Sequence, residues 1–209
     1  MNSKRLLSVA NYVDKEDRLA DVGCDHGYLS IYLVENNLCE YVVASDISAN
    51  ALSYAVNNIK ESEYDIETCV SDGIKDLDIS LFNTLAICGM GSSTIIKILK
   101  DGNLDNINKL ILQSNNDYEM LRNEVSTLGY YLEDNDVVFE NGKYYQIMKF
   151  VKSSLKNSDD ELTYGIYKPK FKFYYEHLIE KYSEINFGIP DGSSKKEELI
   201  EKINYYKNK

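Results

Sequence analysis

Cysteine, histidine, positive charge and long apolar runs are all scarce in this chain, and each shortage removes a class of protein. The four cysteines, Cys24, Cys39, Cys69 and Cys88, form no C-x-x-C pair. They sit mostly in apolar stretches, which reads as reduced, buried thiols and argues against a disulfide framework or a zinc site. The two histidines, His26 and His177, lack metal-ligand spacing, and no metal is expected. No run of about 18 apolar residues occurs. The opening Met1-Asn2-Ser3-Lys4-Arg5 lacks the apolar stretch of a secretory leader, so the expectation is a cytoplasmic chain with no membrane contact. Internal repeats and low-complexity tracts are also absent.

Lys and Arg number 23 against 34 Asp and Glu, a net charge of −11 that argues against indiscriminate binding to nucleic acid. The charge is unevenly spread. Residues 1–150 hold 12 basic and 24 acidic side chains, whereas residues 151–209 hold 11 and 10. Any phosphate-facing surface is therefore expected in the C-terminal part.

What is present is enough apolar material, 44% of 209 residues, for one principal core and a small extension. After an amphipathic helix around Arg5 to Val13, β-rich segments at Arg18–Val22, Tyr41–Ile47, Ile66–Ser71, Thr84–Cys88 and Lys109–Gln113 alternate with helical ones. The helical segments are Tyr28–Asn36, Ala49–Lys60, Thr94–Lys100 and Tyr118–Leu128. Such alternation predicts a doubly wound α/β fold whose parallel strands are buried on both faces. Two further strands, Asp136–Glu140 and Lys143–Phe150, flank Asn141-Gly142, a strong hairpin signal. A doubly wound sheet that ends in an antiparallel hairpin points to S-adenosyl-L-methionine (SAM)-dependent methyl transfer, since a dinucleotide-binding sheet ends in a sixth parallel strand. Lys152 to Asp160 reads as a linker. Helical spacing in Phe171–Tyr182 and again in Leu199–Tyr206, with Pro190-Asp191-Gly192 between, predicts a helical hairpin. The domains expected are thus 1–150 for catalysis and 151–209 for the extension.

The first strand runs into Asp21-Val22-Gly23-Cys24-Asp25-His26-Gly27 and then a helix, the place where a doubly wound fold holds a nucleotide-type ligand. Gly23 permits close backbone approach. Asp25 takes the middle glycine position of a dinucleotide fingerprint, where a carboxylate repels pyrophosphate and suits the sulfonium and amino group of SAM. Asp46 closes the second strand, with Ile47 beside it; alone it could equally be the N-cap neighbour of the helix beginning near Ser48, but together with Asp21 and Gly23 it is expected to accept from ribose hydroxyls. Asp72-Gly73 follows the third strand, where Asp72 either accepts from an adenine amine or merely belongs to a turn. Cys88-Gly89-Met90-Gly91-Ser92 ends the fourth, its glycines allowing backbone near a methyl donor and an incoming base. Asn115, after the fifth, either holds the target base through its amide or is a loop amide facing solvent. His26 either contacts the SAM carboxylate or packs as the first residue of the next helix. Lys168-Pro169-Lys170-Phe171-Lys172-Phe173 either touches phosphates and bases or is a helix start with packed aromatics and solvated lysines.

Taken together these residues resemble the bacterial tRNA (adenine-22-N1)-methyltransferase family, over essentially the whole chain. The matching pieces are Arg5-Leu6, Asp21-x-Gly23-x-Asp25-His26-Gly27-Tyr28-Leu29, Gly89-Met90-Gly91, Leu112-Gln113-x-Asn115 and Glu140-x-Gly142-Lys143-Tyr144-Tyr145. The resemblance implies SAM as donor, N1 of an adenine in the D-arm region of tRNA as acceptor, and a C-terminal helical hairpin that assists tRNA binding; a monomer is expected. The family pattern has Ser or Thr at Cys24, Pro at Ser30 and Ser114, and Gly at Ser92. Loss of a proline at 114 removes a φ restraint beside Asn115, so a looser base-holding loop is expected.

Adenine N1 is itself a nucleophile, and alignment with the methyl group supplies most of the expected acceleration. Asp25 is the candidate proton acceptor and Tyr28 a stacking wall, with Asn115 as the third catalytic candidate. SAM is expected to meet Asp21, Gly23, Cys24, Asp25, His26, Asp46, Ile47, Asp72, Gly73, Gly89, Met90 and Gly91. Rival readings are a covalent cytosine methyltransferase using Cys88, a small-molecule methyltransferase, and a non-catalytic SAM- or RNA-binding module. The Cys88 route lacks the proline that usually precedes such a nucleophile. Asn/Asp-Pro-Pro-Tyr/Phe, the mark of exocyclic-amine methyltransferases, is absent at Cys88-Gly89-Met90-Gly91.

Overall fold

Short apolar runs rich in branched residues build the centre of the molecule as a seven-stranded sheet in the computed structural model, which describes residues 3–209. Met1 and Asn2, part of the opening read for a leader, lie outside the described residues. The strands are β1 (Arg18–Val22), β2 (Tyr41–Asp46), β3 (Glu67–Val70), β4 (Thr84–Met90), β5 (Lys109–Ser114), β6 (Tyr130–Glu140) and β7 (Lys143–Lys152), in the order β3-β2-β1-β4-β5-β7-β6. β1 to β5 are parallel and β7 runs antiparallel between β5 and β6. The expected doubly wound sheet with its antiparallel end is therefore the architecture found.

Burial tracks position in that order. Leu85, Ile87, Leu110, Ile111 and Leu112 of β4 and β5 are fully enclosed, each contributing roughly 1.5–3 kcal/mol relative to exposure. β3 lies at one edge and is partly exposed, unlike the expectation that every parallel strand is buried on both faces. The crossovers are α2 (Tyr28–Glu35), α3 (Ala49–Ser62), α4 (Ser92–Asp101) and α5 (Tyr118–Thr127), preceded by α1 (Lys4–Ala10). Val9 of α1, Leu29 and Leu33 of α2, and Leu52, Ala55 and Ile59 of α3 form one cluster over the sheet with Ala44, Ala86 and Ile111. Ser3 and Ser48 start their helices by accepting from the N–H of Leu6 and Ala51.

Two boundaries differ from the sequence reading. β6 begins at Tyr130, well before Asp136, because the polar run Glu133-Asp134-Asn135 hides a strand; it is bulged between Leu132 and Asp134 and lies at the sheet edge, where charge is tolerated. The segment read as a linker contains Asn157, whose amide accepts from Leu132 N–H and donates to Leu132 C=O, and it leads into a short helix α6 (Asp159–Tyr164). Arg122 of α5 donates to the carbonyls of Leu162 and Thr163. These bonds attach the segment to the sheet domain, so the first compact unit ends at Thr163, beyond the expected 150, and the second runs Tyr164–Lys209.

The second unit contains α7 (Lys172–Phe187) and α8 (Ser194–Lys207), a helical hairpin packed through tyrosines. Tyr206 stacks on Tyr175 and Tyr182, and Tyr205 on Tyr164. Of the two aromatics interleaved with lysines, Phe171 is buried between Lys168 and Lys170, while Phe173 is exposed. Among the described residues, no helix is long and apolar enough to cross a membrane.

Candidate functional site

The order reverses between β1 and β4, and a cleft of about 1130 Å3 opens there at the carboxyl ends of the strands. All the site residues proposed from sequence except Gly91 line this cleft.

The β1 turn is shaped for close approach. Gly23 has φ +73° and a Cβ there would meet Met90 Cε at 2.1 Å. Gly23 and Cys24 both donate their N–H to Ser45 C=O, at 2.8 and 2.9 Å, which locks the turn onto β2. Asp25 adopts the left-handed region, φ +52°, and its carboxylate is largely exposed, 3.7 Å from His26 Nε2. His26 lies in the loop before the Gly27 cap, so it is not the first residue of α2. Its ring stacks on Tyr28 at 5.4 Å and lies 5.3 Å from Tyr54. Tyr28 and Tyr54 are each about half exposed, 50% and 53%, and the three rings form an open aromatic platform at the cleft rim. Tyr54 carries no local signal in the sequence, because it reads as one more aromatic on an amphipathic helix.

Three carboxylates stand at the ends of three parallel strands, in three different states. Asp21 is buried and accepts from Ser30 Oγ at 2.8 Å. Burial pushes its carboxyl up to about 6, against the opposing pull of the Ser30 hydrogen bonds and with further lift from Asp46. Ser30, where the family pattern has Pro, supplies both a hydroxyl and a backbone N–H to this carboxylate, and a proline has neither. Asp46 is held by two backbone donors, Asp25 N–H at 3.2 Å and Ile47 N–H at 2.8 Å. Asp72 pairs with Lys75 at 2.6 Å, which holds its carboxyl below the usual range. Gly73 beside it has φ +65°. Ile47 is two-thirds exposed over the cleft.

Across the cleft, Gln113 at the end of β5 is fully buried and organises the rim. Its Oε1 accepts from Gly89 N–H at 3.1 Å and from Arg5 Nη1, and its Nε2 donates to Asn115 Oδ1 at 3.3 Å. Asn115 in turn donates Nδ2 to Gly89 C=O at 2.7 Å. Its amide is therefore fixed, with one N–H and one oxygen lone pair left over. Arg5 and Gln113 were matched from sequence only as pieces of a motif; their partnership, 108 positions apart, is a tertiary fact.

The loop beside Asn115 is not loose. Ser92 Oγ and Ser114 Oγ lie 2.8 Å apart, both fully buried, and each is within hydrogen-bond distance of Asn116 C=O, at 2.6 and 2.8 Å, the two hydroxyl protons serving two of these three contacts. Ser92 N–H also meets Asn116 Oδ1 at 3.0 Å. A buried hydroxyl pair thus replaces the φ restraint that a proline at 114 would give. Burial pushes the Cys88 thiol up to about 12, which disfavours the thiolate that a covalent route needs.

The sheet order, the antiparallel end and the acidic switch-point cleft define a Rossmann-like methyltransferase fold. The methyltransferase domain model matches residues 2–148. In sequence the chain is 31% identical over 150 residues to the tRNA (adenine(22)-N(1))-methyltransferase of Bacillus subtilis, a match covering 70% of this chain and 63% of that enzyme. In structure it is similar to TrmK of M. capricolum, solved with S-adenosyl-homocysteine, with a TM-score of 0.86, 29% identity, and coverage of 100% of this chain and 97% of that one. A Streptococcus agalactiae protein of the NADB-Rossmann superfamily gives a TM-score of 0.89 at 28% identity, covering 100% and 96%. The chain belongs to the methyltransferase-domain family, and the proteins it is similar to include tRNA (adenine-22-N1)-methyltransferases. It spans somewhat less than two thirds of the length of the B. subtilis relative.

Proposed function

We propose that this chain transfers a methyl group from SAM to N1 of an adenine in tRNA, position 22 by family. The observation that carries the reading is the set of carboxylates at three adjacent strand ends around a glycine turn whose backbone faces an open cleft. These residues fit SAM: Gly23 leaves the backbone of the β1 turn bare at the cleft, where a Cβ would collide with Met90, and the acids match its cationic and hydroxyl groups. When bound, SAM supplies an electrophilic methyl group on a sulfonium.

Asp46, whose oxygens each keep a lone pair beyond the backbone bonds, accepts the ribose hydroxyls, with Ile47 against the nucleoside. Asp72 and Gly73 receive the cofactor's adenine. Asp21, Gly23, Cys24 and His26 surround the amino-acid portion, and Gly89, Met90 and Gly91 border the transfer path. Asn115 presents its remaining N–H and lone pair to the acceptor base. Tyr28, with His26 and Tyr54, supplies the stacking wall for a base that must leave its pairing, a step costing a few kcal/mol. Asp25, exposed in the cleft, receives the proton that the methylated adenine sheds. Little acid–base power is required, because alignment of N1 with the methyl group lowers most of the barrier. Lysines 168, 170 and 172 of the second unit contact tRNA phosphates, and the enzyme works as a cytoplasmic monomer.

The test is methyl transfer from labelled SAM to unmodified bulk tRNA, followed by nucleoside analysis, with Asp25→Ala in parallel. The expected product is 1-methyladenosine, lost in the variant. SAM binding without a labelled nucleoside would transfer the assignment to a small-molecule substrate or a non-catalytic module.

A further inference from the structure

The cleft is divided by charge. Asp21, Asp46 and Asp72 occupy one side, and α1 brings Arg5 to the other. The Arg5 guanidinium carbon lies 5.5 Å from the centre of the Tyr145 ring, and Nη1 donates to Gln113 Oε1 at 2.5 Å. A Cβ on Gly89 would lie 3.3 Å from the same nitrogen, so the group sits against the backbone at the end of β4. Gln113 is neutral, and among the described residues no carboxylate stands within ion-pair distance of Arg5. Glu140, the acid on its side of the cleft, is taken up by Ser3 Oγ and Lys4 N–H. Of the other cations lining the cleft, Lys75 is paired with Asp72 and Asp101, and Lys97 lies exposed on α4.

In a chain with 34 acids and 23 bases, an arginine without an acidic partner inside a cleft is itself informative. Its guanidinium lies over an aromatic ring and one nitrogen is tied to a buried amide. That arrangement removes most of the rotamer freedom and leaves the rest of the fork presented for a two-point contact. We infer that Arg5 is the oxyanion ligand of the cleft, binding either the carboxylate of the cofactor's amino-acid portion or a phosphate of the nucleotide that delivers the acceptor base. The inference rests on the methyl-transfer reading. Lysine is a poor substitute, since an ammonium group cannot hold Gln113 and offer a planar fork together.

The test compares wild type, Arg5→Lys and Arg5→Ala in three measurements. These are calorimetric affinity for S-adenosyl-homocysteine, affinity for 5′-methylthioadenosine, which keeps the nucleoside and lacks the amino-acid tail, and KM for tRNA as a function of salt. If the oxyanion is the carboxylate, S-adenosyl-homocysteine binding weakens about ten-fold or more in both variants while 5′-methylthioadenosine binding is unchanged. If it is a phosphate, both cofactor affinities stay within about two-fold. KM for tRNA then rises about ten-fold with kcat nearly constant, and the salt slope of the Arg5→Ala variant falls by about one. Equal weakening of both nucleosides, or no change in any measurement, overturns the inference, the first because it marks a merely structural residue. Should Arg5→Ala fail to fold, Arg5→Lys carries the comparison. A wild-type protein that binds no S-adenosyl-homocysteine and methylates no tRNA refutes the underlying reading separately.

Discussion

Asp21→Asn is the perturbation with the clearest arithmetic. Asp21 is buried at the end of β1, and its carboxyl is raised from 3.8 to about 6. Between those values the folded protein binds more proton than the unfolded chain, so stability falls as pH rises through the window. The destabilisation is absent below about pH 4 and complete above about pH 6, and two units at 1.36 kcal/mol each amount to about 3 kcal/mol. The amide variant carries no charge at this site, while its oxygen keeps the Ser30 hydroxyl donor. Urea melts of cofactor-free wild type and variant across pH 4.5 to 7.5 are therefore expected to diverge. The variant should be more stable by up to about 3 kcal/mol at pH 7.5, the gap closing toward pH 4.5. Cofactor binding should show the opposite preference. A cationic amino group draws the carboxylate back to its ionised form, so wild-type affinity for S-adenosyl-homocysteine is expected to drop as pH falls through 6 and the variant's to stay flat. Parallel stability curves for the two proteins would refute the assignment of a raised, buried carboxyl to Asp21.

Other substitutions probe the remaining supports. Gly23→Ala combines an unfavourable φ with a contact at 2.1 Å to Met90. It is expected to cost about 1–2 kcal/mol in backbone strain and to push Met90 into the cleft, read as loss of S-adenosyl-homocysteine affinity with little change in circular dichroism. Lys109, buried in β5, is bound by Asp14 and by buried Asp17. Lys109→Ala strands the Asp17 carboxylate and should destabilise the protein by about 3–5 kcal/mol in a denaturant melt; a loss below 1 kcal/mol would contradict the pairing. Ser92→Ala removes the hydroxyl that meets Ser114 and Asn116. A cost of about 1–2 kcal/mol is expected, with a higher KM for tRNA and unaltered cofactor affinity, because the loop that aims Asn115 loosens.

Much of this molecule is written locally. The alternation of branched apolar runs with helical spacing predicts every strand of the parallel sheet, and Asn141-Gly142 predicts the closing hairpin. Because a doubly wound sheet places its ligand at strand ends, the positions of Asp21, Asp46, Asp72 and Gly89 follow once the strands are placed. Each depends only on neighbours within a few residues, and periodicity reports such neighbours directly. β6 resisted this reading, since its acidic start is tolerated only through its place at the edge of the sheet, a property of the assembled sheet and invisible in the segment itself. The same holds for α6, whose place is set by Arg122 and Asn157 binding backbone carbonyls across the fold.

The class of fold, the strand-end acids and the glycine turn are legible in the order of residues, because those features are local and recur in fixed order along the chain. Long-range packing alone makes burial raise the Asp21 carboxyl, brings the Ser92 and Ser114 hydroxyls together around Asn116 C=O, and carries Arg5 to Gln113 and Tyr145 on one side of the cleft. Burial, pairing and desolvation are properties of atoms brought together from distant positions, and no local pattern encodes them.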